Sequence, residues 1–104
     1  MGNVTFTAVG DATDQITIVD AAGTTKTYQM IAAGTSGDEI SAGVVKVVIA
    51  GSAALTAAQF VIAVNHANGH NGKLTPTADG ASVNILDTTV PTGPADGSIV
   101  FTNV

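Results

Sequence analysis

Residues 52–72 read SAALTAAQFVIAVNHANGHNG, and no other stretch of the chain has so clearly the pattern of a helix. Thr56 is placed to N-cap it, with Gln59 three residues later to complete a capping box. Leu55 and Phe60 then fall at the two positions of a hydrophobic staple. Phe60, Val64 and Ala67 recur at helical spacing, Val61 widens the apolar stripe, and Gly69 is the expected left-handed stop. A helix this short and Ala-rich draws its stability from the surface it packs on. That surface has to come from the strands on either side.

Upstream, residues 4–9 alternate Val4 and Phe6 with Thr5 and Thr7, and Asp11 to Asp14 read as a turn. Residues 15–20 carry Ile16 and Ile18 on one face, and residues 24–31 carry Tyr28 and Met30 on one face with Thr25, Thr27 and Gln29 on the other. Joined by Ala21-Ala22-Gly23, these two segments form a hairpin. Residues 32–43 are small and polar and are expected to be loop. Residues 44–50 are apolar on both faces apart from Lys46, the pattern of a central strand covered on both sides. Lys46 either reaches the rim through its aliphatic stem or meets an acidic group of a partner covering that face, and the first reading is preferred.

Downstream, Pro76 removes a ladder donor and places the strand at 73–78 at an edge or a bulge. Asp79-Gly80 marks a tight turn into residues 81–87, where Val83 and Ile85 oppose Asn84 and Leu86. A loop with Pro91, Gly93 and Pro94 precedes a last strand at 98–104. The strand–helix–strand unit over residues 44–78 is right-handed if its strands are parallel. The expected architecture is a single α+β domain over residues 1–104, one helix packed on a mostly antiparallel, twisted sheet of about six or seven strands.

Composition narrows the function. Of 104 residues 45% are hydrophobic and only 11% charged, which argues against disorder and leaves a surface of Thr, Ser, Asn and Ala. Surfaces with so little charge suit a protein packed against neighbours better than one kept apart by repulsion. The formal net charge is −5 and the only basic side chains besides histidine are Lys26, Lys46 and Lys73. Phosphate backbones and anionic lipid need clustered Lys or Arg, so neither nucleic acid nor membrane is an expected partner. No apolar run approaches the ~18 residues of a spanning helix. The chain has no Cys, hence no disulfide, thiolate site or cysteine nucleophile. Its N-terminus shows no basic region followed by an apolar core, so no signal peptide is expected.

The candidate chemistry is sparse. His66 and His70 have the four-residue spacing of two metal ligands on one helix face, but Gly69 between them ends the helix and separates the rings. Asp11, Asp14 and Asp20 lack the ligand alternation of a calcium loop and fit turn formation. Asp38 and Glu39 are adjacent in a loop and point apart. No serine sits in a strand–turn–helix elbow, and no glycine pattern precedes a phosphate-binding Lys. The aromatics Phe6, Tyr28, Phe60 and Phe101 fall at inward positions, as core. No catalytic, metal or cofactor-binding residue is assigned, and the chain is not expected to be an enzyme.

Four segments together resemble a small structural module of tailed-bacteriophage virion proteins. They are QITIVDAAGTTKTY at 15–28, LTAAQFVIAVN at 55–65, KLTPTADGASVNIL at 73–86 and TGPADGSI at 92–99. Phe60 and Val61 are bulkier than the alanines usual in that module, and Pro76 interrupts a strand usually unbroken. The resemblance implies a virion structural protein, assembled in the host cytoplasm. A free-standing copy fits a capsid decoration, or cement, protein, binding the major capsid protein or another virion protein by surface complementarity. A closed homo-oligomer is implied, and a trimer is expected from the sites that capsids offer. Contacts are expected at Val4 and Phe6 on the first strand, at Ile31, Asp38, Glu39 and Ile40, and at Val90, Pro91 and Pro94. These are terminal or loop segments whose small apolar residues have no evident place in the core. The alternative is a tail or fibre module that binds a receptor or glycan through Asn65, Asn68, Asn71 and His70, although no aromatic lies near them in sequence.

Overall fold

The structure, a computed structural model, describes residues 2–87 in full and residues 98–102 by their backbone. Among these, eight strands and one helix follow one another. They are β1 (Gly2–Thr5), β2 (Gln15–Val19), β3 (Thr25–Ile31), β4 (Glu39–Ser41), β5 (Val44–Val48), α1 (Ala53–Asn65), β6 (Leu74–Asp79), β7 (Ser82–Asp87) and β8 (Ser98–Thr102). The α+β class expected from the sequence is the one observed. The strands form two sheets, ordered β1-β7-β6 and β4-β5-β3-β2-β8. Every pairing is antiparallel except that of β3 with β5.

The β2–β3 hairpin runs in register from Gln15 opposite Gln29 to Val19 opposite Thr25. This register sends Ile16, Ile18, Tyr28 and Met30 inward. On the other face Gln15 Nε2 donates to Gln29 Oε1 at 2.9 Å, and the hydroxyls of Thr17 and Thr27 pair at 2.9 Å. The second hairpin joins β6 to β7 through Gly80 and Ala81, one residue beyond the Asp79-Gly80 turn expected, with Gly80 at φ +59°. Pro76 does lie on an edge strand, β6, where a missing donor is tolerated.

Several expectations are corrected. The first strand ends at Thr5, not at residue 9. The 32–43 segment contains β4, which closes a tight antiparallel pair with β5. Strand β5 is covered on one face only: Val45 and Val47 are buried, while Val44, Lys46 and Val48 are half-buried. The β5–α1–β6 unit does not rejoin one sheet, because β5 and β6 belong to different sheets. The physical reason is that α1 packs on both β5 and β6 and so carries the chain from one sheet to the other.

The helix also begins and ends differently from the sequence reading. Ser52, not Thr56, is the N-cap: its hydroxyl accepts from the Leu55 N–H at 3.2 Å. Thr56 is turned into the core, where its Oγ1 accepts from the Ala50 N–H at 2.9 Å. Gln59 makes no capping box; its Oε1 accepts from the Ser36 hydroxyl at 2.7 Å. Leu55 is 56% exposed, so it cannot staple onto buried Phe60. Past the C-cap at His66, the N–H groups of His70 and Asn71 both donate to Val64 O, at 2.9 and 3.1 Å. Ala67 lies beyond the helix and is exposed. The left-handed residues are Asn71 and Gly72, at φ +38° and +85°, rather than Gly69. Gly69 is required for a different reason: a Cβ there would collide with the backbone oxygens of Ala63 and Val64.

The core draws Val4, Leu74, Val83 and Ile85 from the three-stranded sheet, and Ile16, Ile18, Tyr28, Met30, Val45 and Val47 from the other. Ala57, Phe60, Ala63 and Val64 of α1 and the nearby Phe6 complete it. Phe60 is its hub, with its ring centroid 5.9 Å from Phe6 and 5.4 Å from Tyr28, the latter edge-on at 81°. Edge-to-face contacts of this kind contribute about 0.5–1.5 kcal/mol beyond burial.

Candidate functional site

Polar groups, with Asp20, Tyr28 and His70 buried among them, collect where the β2–β3 turn meets the segment that follows α1. Tyr28 comes from β3, Asp20 and Thr24 from the turn, His70 and Lys73 from the post-helix segment, and Asp87 from the end of β7. His70 is fully buried; its ring stacks on Tyr28 with centroids 5.8 Å apart. Its Nε2 lies 3.2 Å from the Thr24 carbonyl oxygen, which can only accept, so Nε2 carries the proton. Nδ1 is then an acceptor, and the Tyr28 hydroxyl donates to it at 2.6 Å. The same hydroxyl accepts from the His70 backbone N–H at 3.1 Å. One side chain of β3 thereby fixes both the backbone and the ring of the segment after the helix.

The turn is built on carboxylates. Asp20 Oδ1 accepts from the N–H groups of Ala22 and Thr24, at 3.0 and 2.9 Å. Its Oδ2 is buried with no hydrogen-bond partner among the described residues. Asp87 Oδ2 accepts from the Ala21 N–H at 2.6 Å, tying β7 of one sheet to the turn of the other. Lys73 Nζ donates to Thr24 Oγ1 at 2.8 Å. Burial pushes the Tyr28 phenol well above its ordinary range, eased by the His70 hydrogen bond and reinforced by the Asp20 charge. Burial lowers the His70 imidazole below 6.5; Lys26 and Lys73 act in the same sense, while the Thr24 hydrogen bond and Asp20 act against it. The result is a neutral imidazole with both nitrogens engaged, a clamp with no lone pair left to offer a metal or a substrate.

His66 is separated from it. The His66 Nδ1 accepts from the Asn68 N–H at 3.1 Å, and a Cβ on Gly37 would collide with its ring. No group of three or more His, Cys, Asp or Glu among the described residues could hold a metal ion. Asp14 and Asp20 each close a turn, at opposite ends of β2. Near Val4, Phe6, Ile16 and Met30 lies a cavity of about 40 Å³, enough for a few water-sized groups.

The expected contact residues that are described do not form one surface. Val4 and Phe6 are 1% and 9% exposed and belong to this chain's own core, so the premise that they had no place there is corrected. Ile31 is half-buried, and Asp38, Glu39 and Ile40 are exposed along and beside the edge strand β4. Val90, Pro91 and Pro94 lie outside the described residues. Apolar exposure that the sequence reading missed is on α1, where Leu55 and Ile62 are 56% and 49% exposed, and on β7 at Leu86. A signal was present: α1 contains no charged residue, and a helix apolar on all sides is usually covered on all sides. Comparison with known protein families, with curated proteins and with solved structures finds no match to this chain.

Proposed function

We propose that this chain is a structural protein of a bacteriophage virion, a capsid decoration protein that works by binding the shell through its surface. The observation that carries this is how the polar groups are divided. The buried ones described, Asp20 Oδ2 apart, are tied up in holding the fold, as in the Tyr28–His70 clamp. Meanwhile Leu55, Ile62, Leu86 and Ile40 stand exposed on a chain with 11% charged residues. Exposed apolar side chains with few charges around them suit a face that is covered in an assembly. The resemblance of the 15–28, 55–65, 73–86 and 92–99 segments to a phage virion module supports the same reading. The tail-module alternative draws less support. The Asn68 side chain donates to Gly37 O at 3.1 Å, His70 is buried, and the aromatics Phe6, Tyr28 and Phe60 are in the core, leaving no stacking surface from them for a sugar.

The test is quantitative mass spectrometry of purified particles of the virus that encodes the chain, with and without Ile40→Asp. Many copies per particle are expected for the wild type, with occupancy lost in the variant and its urea midpoint unchanged. Absence of the wild-type chain from particles refutes the proposal.

A further inference from the structure

The segment after α1 contains the dipeptide Asn-Gly twice, as Asn68-Gly69 and Asn71-Gly72. Such a pair is labile because glycine has no side chain to shield the peptide nitrogen that follows the Asn side-chain amide. Intrinsically the two are equivalent, but their surroundings are not. Asn68 is half-buried; its N–H donates to His66 Nδ1 and its side-chain amide to Gly37 O, both at 3.1 Å. Gly69 is buried. Asn71 and Gly72 are both exposed. They are the central residues of a turn closed by Lys73 N–H to His70 O at 2.9 Å, with positive φ at both, as a primed turn requires. The Asn71 side chain makes no hydrogen bond among the described residues, and a Cβ at Gly72 would meet nothing within 4 Å.

We propose that Asn71 is a site of spontaneous deamidation in the folded protein, while Asn68 is protected. The Gly72 amide nitrogen gives its proton to hydroxide and attacks Asn71 Cγ. The new C–N bond closes a succinimide as the Cγ–Nδ2 bond breaks and ammonia leaves with a proton taken from water. Water then opens the ring at either carbonyl, giving Asp or isoaspartate. The net reaction consumes one water, releases one ammonia and involves no oxidant. The product places a carboxylate between His70 and Lys73, and isoaspartate adds one backbone atom to the turn that joins them.

The experiment incubates the full chain at mildly alkaline pH, folded and in guanidinium chloride. Fragment-resolved mass spectrometry follows the gain of about 1 Da at each Asn. In the folded chain Asn71 converts at least about tenfold faster than Asn68, because Asn68 reacts only after local opening breaks its hydrogen bonds. In denaturant the two convert at similar rates. Asn71→Gln removes the fast conversion and leaves the slow one. Equal rates in the folded chain overturn the proposal, as does a folded-state Asn71 as slow as Asn68 while the denatured chain converts both.

Discussion

Replacing Tyr28 with Phe removes one oxygen and tests the clamp directly. The ring stays, so the edge-on contact with Phe60 at 5.4 Å and the stack on His70 are retained. Two hydrogen bonds are lost, the hydroxyl donating to His70 Nδ1 and accepting from the His70 N–H. Each neutral bond contributes about 1 kcal/mol net, and leaving a buried donor or acceptor unpaired costs about 1–3 kcal/mol. The His70 N–H keeps its bond to Val64 O at 2.9 Å, so only the buried Nδ1 is stranded. The variant should lose about 2–3 kcal/mol, a large share of the roughly 5–15 kcal/mol typical of a domain. Urea denaturation at neutral pH followed by circular dichroism measures it. At a slope of about 1.5–2 kcal/mol per molar the midpoint falls by about 1–2 M, with the slope unchanged. Thr17→Val is the control. It breaks the half-buried hydroxyl pair with Thr27 on the outer face, and should cost no more than about 0.5–1 kcal/mol. Should Tyr28→Phe cost no more than Thr17→Val, the clamp does not hold the post-helix segment and the assignment of its protons is wrong.

Acid should weaken the fold through His70. Its folded pKa is lowered below 6.5, so the unfolded chain binds the proton first. The stability it contributes is complete above 6.5 and lost as pH falls from there towards the folded value. Unfolding free energies measured across that window should slope less steeply in His70→Asn than in the wild type, and parallel slopes would contradict the burial argument. At the alkaline end Tyr28 is the chain's one tyrosine, with no Trp beside it, so tyrosinate absorbance reports on it alone. Its raised pKa means that stability is lost as pH climbs past 10.0. Absorbance should therefore rise together with the loss of circular dichroism; ionisation near 10.0 with the fold intact would refute the desolvation. Gly69→Ala should destabilise by about 3 kcal/mol or more, because the atoms it meets are backbone oxygens that cannot turn aside. Gly23→Ala, in open space at φ +91°, should cost only about 1–2 kcal/mol. Similar midpoints for the two variants in thermal melts would show that the post-helix segment yields.

The sequence by itself determined everything that depends on neighbours along the chain. Alternation placed Ile16, Ile18, Tyr28, Met30, Val83 and Ile85 on inward faces, and glycine in short connections set the two hairpins. Helical spacing set one helix between them. Local pattern misplaced the cap because Ser52 and Thr56 are chemically interchangeable until the direction of the core is known. It also assigned Gly69 a left-handed bend, since a glycine needed for close approach has the same letter as one needed for positive φ. Tertiary structure alone decided the partition into two sheets, because α1 offers an apolar face to both and alternation does not say which strands meet. It alone decided the clamp as well: Tyr28 and His70 are 42 residues apart. Only burial side by side turns a phenol and an imidazole, unremarkable in sequence, into groups that must satisfy one another away from water.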